Sequence, residues 1–160
     1  MSVAFTKEGD TENAAATDLP DRPISSHPNL VTAIGFAQLE AALAQARADY
    51  AANQADETRP GDMRALARAA RDLRYFAARR ATAQLMPPPT EVDVVRFGTR
   101  VTIERADGRR QTFRLVGEDE ADPTNGTLSY VSPMASALLG KREGDTVRIA
   151  GAEVEIVAID

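Results

Sequence analysis

Apolar residues in this chain follow two periods, and the change from one to the other comes after residue 90. Between Thr32 and Met86 they recur in a 4-3-4 spacing, with Leu39, Leu43, Ala46 and Tyr50 in a first run and Leu66, Ala70, Leu73 and Ala77 in a second. This is the spacing of a coiled-coil seam. The runs are separated by Thr58-Arg59-Pro60-Gly61, where Pro60 disfavours the α conformation at Arg59 and Gly61 gives the turn its freedom. The pattern predicts an antiparallel helical hairpin over 32–86. Its first helix is capped by Thr32 and runs to about Glu57; its second is capped by Asp62 and runs to about Leu85. Gly35 in the opening turn weakens the first helix by about 1 kcal/mol relative to Ala. Pro87, Pro88 and Pro89 end the second helix and make 87–91 a stiff linker to a separate domain.

From residue 92 the period is two. Val101 and Ile103 alternate with polar neighbours up to Arg105, Asp107-Gly108 is a strong hairpin turn, and Phe113 and Leu115 alternate on the return. A further strand is expected over Leu128 to Ser132. Ser132-Pro133, an N-cap followed by proline at the first helical position, then opens a short helix that Gly140 stops. Thr146–Ile149 and Glu153–Ile159, joined by Ala150-Gly151, are the last two strands. The expected fold class is α+β: a coiled-coil hairpin followed by a small antiparallel sheet with one short helix over 92–160.

Composition sharpens this division. The larger apolar residues gather after residue 92 and much of the remaining apolar content is Ala, so the main core belongs to the second domain. Residues 1–31 are polar, acidic and broken by Pro20, Pro23 and Pro28, and are expected to be a disordered leader. With no cysteine, disulfides, thiolate metal sites and Cys nucleophiles are excluded together. His27, the one histidine, has no neighbouring ligand types and carries no metal or catalytic expectation. No apolar run suggests a signal peptide or a membrane span, so a cytoplasmic protein without a membrane partner is expected.

The net charge of -5 divides as -3 over 1–31, +2 over 32–90 and -4 over 91–160. Such overall acidity argues against a protein that coats nucleic acid, though not against local contact with RNA or DNA. The basic part is the second helix, where Arg64, Arg68, Arg71, Arg74, Arg79 and Arg80 face a single acid, Asp72. Arg64, Arg68 and Arg71 share one helical face and, with Arg74, form a stripe able to meet phosphates; the alternative is a solvated face partly neutralised by Glu40 and Asp49. At the turn, Asp62 is explained as a cap. Asp56 and Glu57 sit at a helix C-terminus, where the macrodipole disfavours them, and two carboxylates there can offer oxygen ligands to a Mg²⁺ completed from elsewhere. Exposed loop acids without function are the alternative.

A more specific signal lies in the second domain. Phe97-Gly98-Thr99, Phe113-Arg114-Leu115-Val116-Gly117 with Glu118-Asp119-Glu120, Val131-Ser132-Pro133-Met134-Ala135, Ala137-Leu138-Leu139-Gly140-Lys141 and Gly144-Asp145 resemble, in order and spacing, the C-terminal domain of the Gre transcript-cleavage factors. Thr32, Gly35 and Leu39 resemble the start of that family's first helix, and Ala4-Phe5-Thr6 with Arg22-Pro23-Ile24 resembles the leader of its longer, GreB-type members. The resemblance implies an FKBP-like domain docked on bacterial RNA polymerase at the rim of the secondary channel, with the hairpin entering the channel. It implies no enzyme activity of the chain's own: carboxylates at the tip help hold a Mg²⁺ shared with the polymerase, whose active site cleaves backtracked RNA. Ser132, Pro133 and Met134 are the polymerase-binding candidates, nascent RNA is a candidate partner of the stripe, and a monomer without a small-molecule substrate is expected.

The sequence also departs from the family. Where the family has Asp-Ser-Pro this chain has Val131-Ser132-Pro133, and nothing in 50–63 matches the Asp-x-x-Glu-Asn of cleavage-competent tips. Asp56 and Glu57 are adjacent, and the first arm is about two turns shorter than the family's. A non-cleaving channel regulator is therefore an alternative. Two further classes are a peptidyl-prolyl isomerase, which needs an apolar aromatic pocket, and a dimer joined through the hairpin.

Overall fold

The computed structural model of the chain describes residues 19–55 and 62–160, with the side chain of Asp62 not described. The tip candidates Asp56 and Glu57, the turn 58–61, the cap expected of Asp62 and the leader over 1–18 lie outside the described residues. The described residues divide into two units, a helical one over 19–25, 39–55 and 62–81 and a sheet unit over 26–38 and 82–160.

The sheet unit holds five strands in a sheet and two in a short ribbon. Strands β3 (Arg100–Arg105) and β4 (Arg110–Val116) form the hairpin that Asp107-Gly108 predicts, with Gly108 at φ 81°. Strand β5 is Thr127–Ser129, and β6 (Thr146–Ile149) and β7 (Ala152–Ile159) make a second hairpin over Ala150 and Gly151, both at positive φ. Strand order is β5-β4-β3-β7-β6. The antiparallel expectation holds for β3–β4, β3–β7 and β6–β7, whereas β4 and β5 run parallel. They do so because the chain crosses from the end of β4 through a 3₁₀ turn at Pro123–Asn125 before re-entering the sheet. Strand β5 is also shorter than expected, since Ser132 bonds back to Ser129 O and starts a helix instead.

One face of this sheet makes the core. Val101, Ile103, Leu115, Leu138 and Ile156 are fully buried, with Val95, Val154 and Ala135 beside them. Ile156 and Ile159 both turn inward although they are three residues apart. A register shift opposite Thr102 and Ile103 inserts Val157 as an extra residue, which restores the inward alternation. Helix α3 (Pro133–Leu138) covers the core through Ala135 and Leu138.

The ribbon pairs β1 (Leu30–Val31) with β2 (Gln84–Leu85) in parallel. It corrects the end of the second helix, expected near Leu85. Helix α2 stops at Thr82, because the N–H groups of Gln84 and Met86 are given to the carbonyls of Asn29 and Val31 at 2.8 and 2.9 Å. Residues 26–31, counted with the leader from the sequence, are part of the sheet unit.

In the helical unit, helix α1 (Ala33–Ala55), whose first turn belongs to the sheet unit, contributes Leu39, Leu43 and Ala46 as buried positions, the seam its spacing predicts. Its 23 residues correspond to about 35 Å at 1.5 Å per residue. From α2 (Asp62–Thr82) the buried residues are Ala69 and Arg79, and the predicted seam residues Leu66, Ala70, Leu73 and Ala77 are half-buried. Arg80 Nη2 pairs with Glu40 Oε1 at 2.9 Å.

Candidate functional site

The sheet unit presents its candidate surface at the start of α3. Ser132 takes an extended conformation and its Oγ accepts from Ala135 N–H at 3.2 Å, while Pro133 fills the first helical position, where no N–H is needed. The helix is pinned from below by Ala135 and Leu138, and Met134 packs partly against the core. Pro133 is left exposed, with Ser132 and Met134 half-exposed to either side of it. The loop before it is equally fixed: Val131 N–H bonds to Ser129 Oγ, the Tyr130 ring stands edge-on to Phe97 at 5.5 Å, and the Tyr130 hydroxyl donates to the carbonyl of Pro28. The result is a rigid, mostly apolar step rimmed by a cap hydroxyl, a geometry suited to docking on a protein.

Behind this step the start of α1 is locked to the loop after β4. Thr32 Oγ1 accepts from Gly35 N–H at 3.0 Å and donates to Glu120 Oε2 at 2.5 Å. Gly35, which the sequence shows only as a weak point of the helix, has a positive reason here: a side chain would meet the Glu120 carboxylate at 2.5 Å. Gly117 is required more strictly, because a Cβ there would run into the backbone carbonyl of Leu30. The Thr-x-x-Gly start and the Gly-Glu-Asp-Glu segment are therefore two halves of one contact, though their separation in sequence hides the pairing.

A groove of about 210 Å³ in the same unit is lined by Ile34, Met86, Pro88, Phe97 and Arg114 among others. It is smaller than the usual 300–1,000 Å³ of ligand sites, and Phe97 is the one aromatic in its lining, which does not make the pocket an isomerase needs.

The α2 stripe is resolved into different fates. Arg64 and Arg68 are exposed. Arg71 lies 3.6 Å from Asp72, Arg74 is bound to Asp21 at 2.7 Å, and Arg79 is 2% exposed and so no part of a solvent-facing stripe. The acids that meet these arginines are Asp21, Asp72 and Glu40, while Asp49, expected to neutralise the stripe, accepts from Gln45 at 2.8 Å. Among the described residues no group of three or more acids or histidines could hold a metal ion.

The family profile described as "Transcription elongation factor, GreA/GreB, C-term" matches residues 89–160. GreB of Neisseria meningitidis is 33% identical over 122 residues, which cover 70% of this chain and 75% of that protein. This chain belongs to the GreA/GreB family. GreA of Verminephrobacter eiseniae is 35% identical over 126 residues, covering 76% of this chain and 73% of its own length. With GreA of Desulfovibrio desulfuricans, 40% identical over 79 residues, the match spans about half of either protein. Among solved structures, the transcription factor Gfh1 aligns over 84% of this chain and 99% of its own with a TM-score of 0.40 and 23% identity, so membership of the GreA/GreB family rests on the sequence relatives. The relatives are named transcription elongation factors. In this GreA/GreB chain no described helix is long and apolar enough to cross a membrane.

Proposed function

We propose that this chain is a transcription elongation factor that binds bacterial RNA polymerase at the secondary channel without catalysing a reaction of its own. The observation that carries this is the step of exposed Pro133 between half-exposed Ser132 and Met134, on a sheet domain of the GreA/GreB type in a chain that also holds a helical hairpin. The step docks on the polymerase rim and the hairpin enters the channel, with Arg64 and Arg68 exposed on α2 to meet RNA phosphates. Val131 takes the place of the family's acid, so docking here relies on apolar contact and on the helix start more than on a charge pair.

Asp56 and Glu57, between the two helices in sequence, are the carboxylates assigned to the tip. There they would add oxygen ligands to a Mg²⁺ whose remaining ligands come from the polymerase. A second reading, a channel-occupying regulator that competes with other factors and does not promote cleavage, is favoured by one observation: residues 50–63 contain no Asp-x-x-Glu-Asn. Cleavage of RNA in backtracked complexes, with wild type and with the Asp56→Ala, Glu57→Ala double variant, separates the two. Stimulation that is lost in the variant supports the tip carboxylates, whereas polymerase binding with no stimulation by either protein supports the regulator.

A further inference from the structure

Residues 21 and 22 lie along α2 within the helical unit. Asp21 Oδ1 accepts from both Nε and Nη2 of Arg74 at 2.7 Å, and Arg22 Nη1 stands 3.3 Å from Asp72 Oδ1. The Arg22 guanidinium also covers the Tyr75 ring at 3.8 Å, with Phe76 edge-on to that ring at 5.3 Å. The contact is thus acid on base and base on acid, seated on two aromatic rings. In it the Asp21 carboxylate occupies the fork of the Arg74 guanidinium, the place a phosphate would take. Beside it, Arg71 Nε is buried 3.6 Å from Asp72 Oδ1, beyond hydrogen-bond distance, so Asp72 stands between the two arginines Arg22 and Arg71.

These pairs are open to solvent: Asp21 and Arg74 side chains are 68% and 55% exposed, and Arg22 and Asp72 are 36% and 38% exposed. Exposed pairs are individually weak and screened by salt, so a ligand of higher charge density can displace them. From this arrangement we infer that Asp21 and Arg22 form a displaceable strap that closes the Arg71–Arg74 half of the stripe to single-stranded nucleic acid. Arg64 and Arg68 stay exposed as the entry point. The inference rests on the proposed reading that this stripe meets phosphates, and it adds a gate to it. Apparent affinity for a site open only part of the time falls by the open fraction, and weak contacts of this kind correspond to about a 3–10-fold effect.

The test is fluorescence anisotropy of a labelled single-stranded RNA oligonucleotide binding to the full chain at low salt. The Asp21→Ala, Arg22→Ala double variant leaves net charge unchanged, so bulk electrostatics cannot account for a difference. It is expected to bind the RNA about 3–10-fold more tightly than wild type. Unchanged binding overturns the strap, and weaker binding does so by making Arg22 a nucleic-acid contact. The Arg64→Ala, Arg68→Ala variant, expected to bind more weakly, tests the underlying reading separately. If it weakens binding and the strap variant does not tighten it, the strap alone fails; if it leaves binding unchanged, the stripe reading fails and takes the strap with it. Circular dichroism of each variant checks that both helices remain.

Discussion

The two units bury their chains in different ways. In the sheet unit Val101, Ile103, Leu115, Leu138 and Ile156 are fully buried and interlock across a sheet and a helix; in the helical unit the seam consists of Leu39, Leu43 and alanines. Large branched side chains at zero exposure fix each other's positions, so the sheet unit has few acceptable sequences. A seam of small residues asks only for spacing and helix propensity, which leaves the hairpin surface free to change. The proposed docking surface, at the start of α3, lies on the sheet unit.

The contrast is broken most sharply by truncating each core. Ile156→Ala is expected to cost about 2–5 kcal/mol in urea unfolding, while Leu43→Ala should sit at the low end, about 2 kcal/mol, because its alanine neighbours can close around the loss. Equal costs would mean that the hairpin is packed as tightly as the sheet. Next comes Gly117→Ala, which forces a methyl group against the Leu30 carbonyl. An overpacking cost of about 1–3 kcal/mol is expected. Hydrogen exchange at the Met86 amide, bonded to Val31 O, should quicken as the β1–β2 ribbon loosens, and unaltered exchange there would contradict the assigned role.

Ser132→Ala removes the α3 cap and should lower stability by about 1 kcal/mol. Ser132→Asp, which keeps an acceptor at the cap, should restore it in the same thermal melt. The smallest effect expected is a pH dependence at two turns of the sheet unit. The Asp107 carboxyl is held below its ordinary value of 3.8 chiefly by the backbone N–H of Arg109, and the Asp122 carboxyl likewise by the side chain of Thr124, with Asn125 adding to it. Both favour the folded state fully above the ordinary value, and this contribution is lost as pH falls through the lowered folded values. Carboxyl titration followed by NMR should therefore place both midpoints below 3.8.

Local signals suffice for the hairpin of helices, the β3–β4 and β6–β7 hairpins and the α3 start, because each rests on rules of spacing, turn chemistry and capping that a short window contains. The misjudged features are those decided between distant segments. Gln84 and Leu85 continue a helical pattern and yet pair with residues 30 and 31, since free backbone donors next to an open strand outweigh local propensity. The parallel β4–β5 pair and the extra residue at Val157 likewise depend on strand neighbours that no short window contains. At the candidate sites, Ser132 and Pro133 declare themselves through capping chemistry. Gly35 and Glu120 are each visible as part of a motif but not as partners. Arg79 looks like one more exposed cation and is buried, and Asp21 and Arg22 look like part of a featureless leader and lie on α2.

The central claim is that the α3 step of the sheet unit docks on RNA polymerase, and binding to the immobilised bacterial enzyme measures it directly. The full chain should bind saturably. Pro133→Glu, a change that a helix N-terminus accommodates well, should weaken binding at least about tenfold without shifting the thermal midpoint of the protein. Absence of binding by the wild-type chain, or equal affinity of the two proteins, would contradict the account.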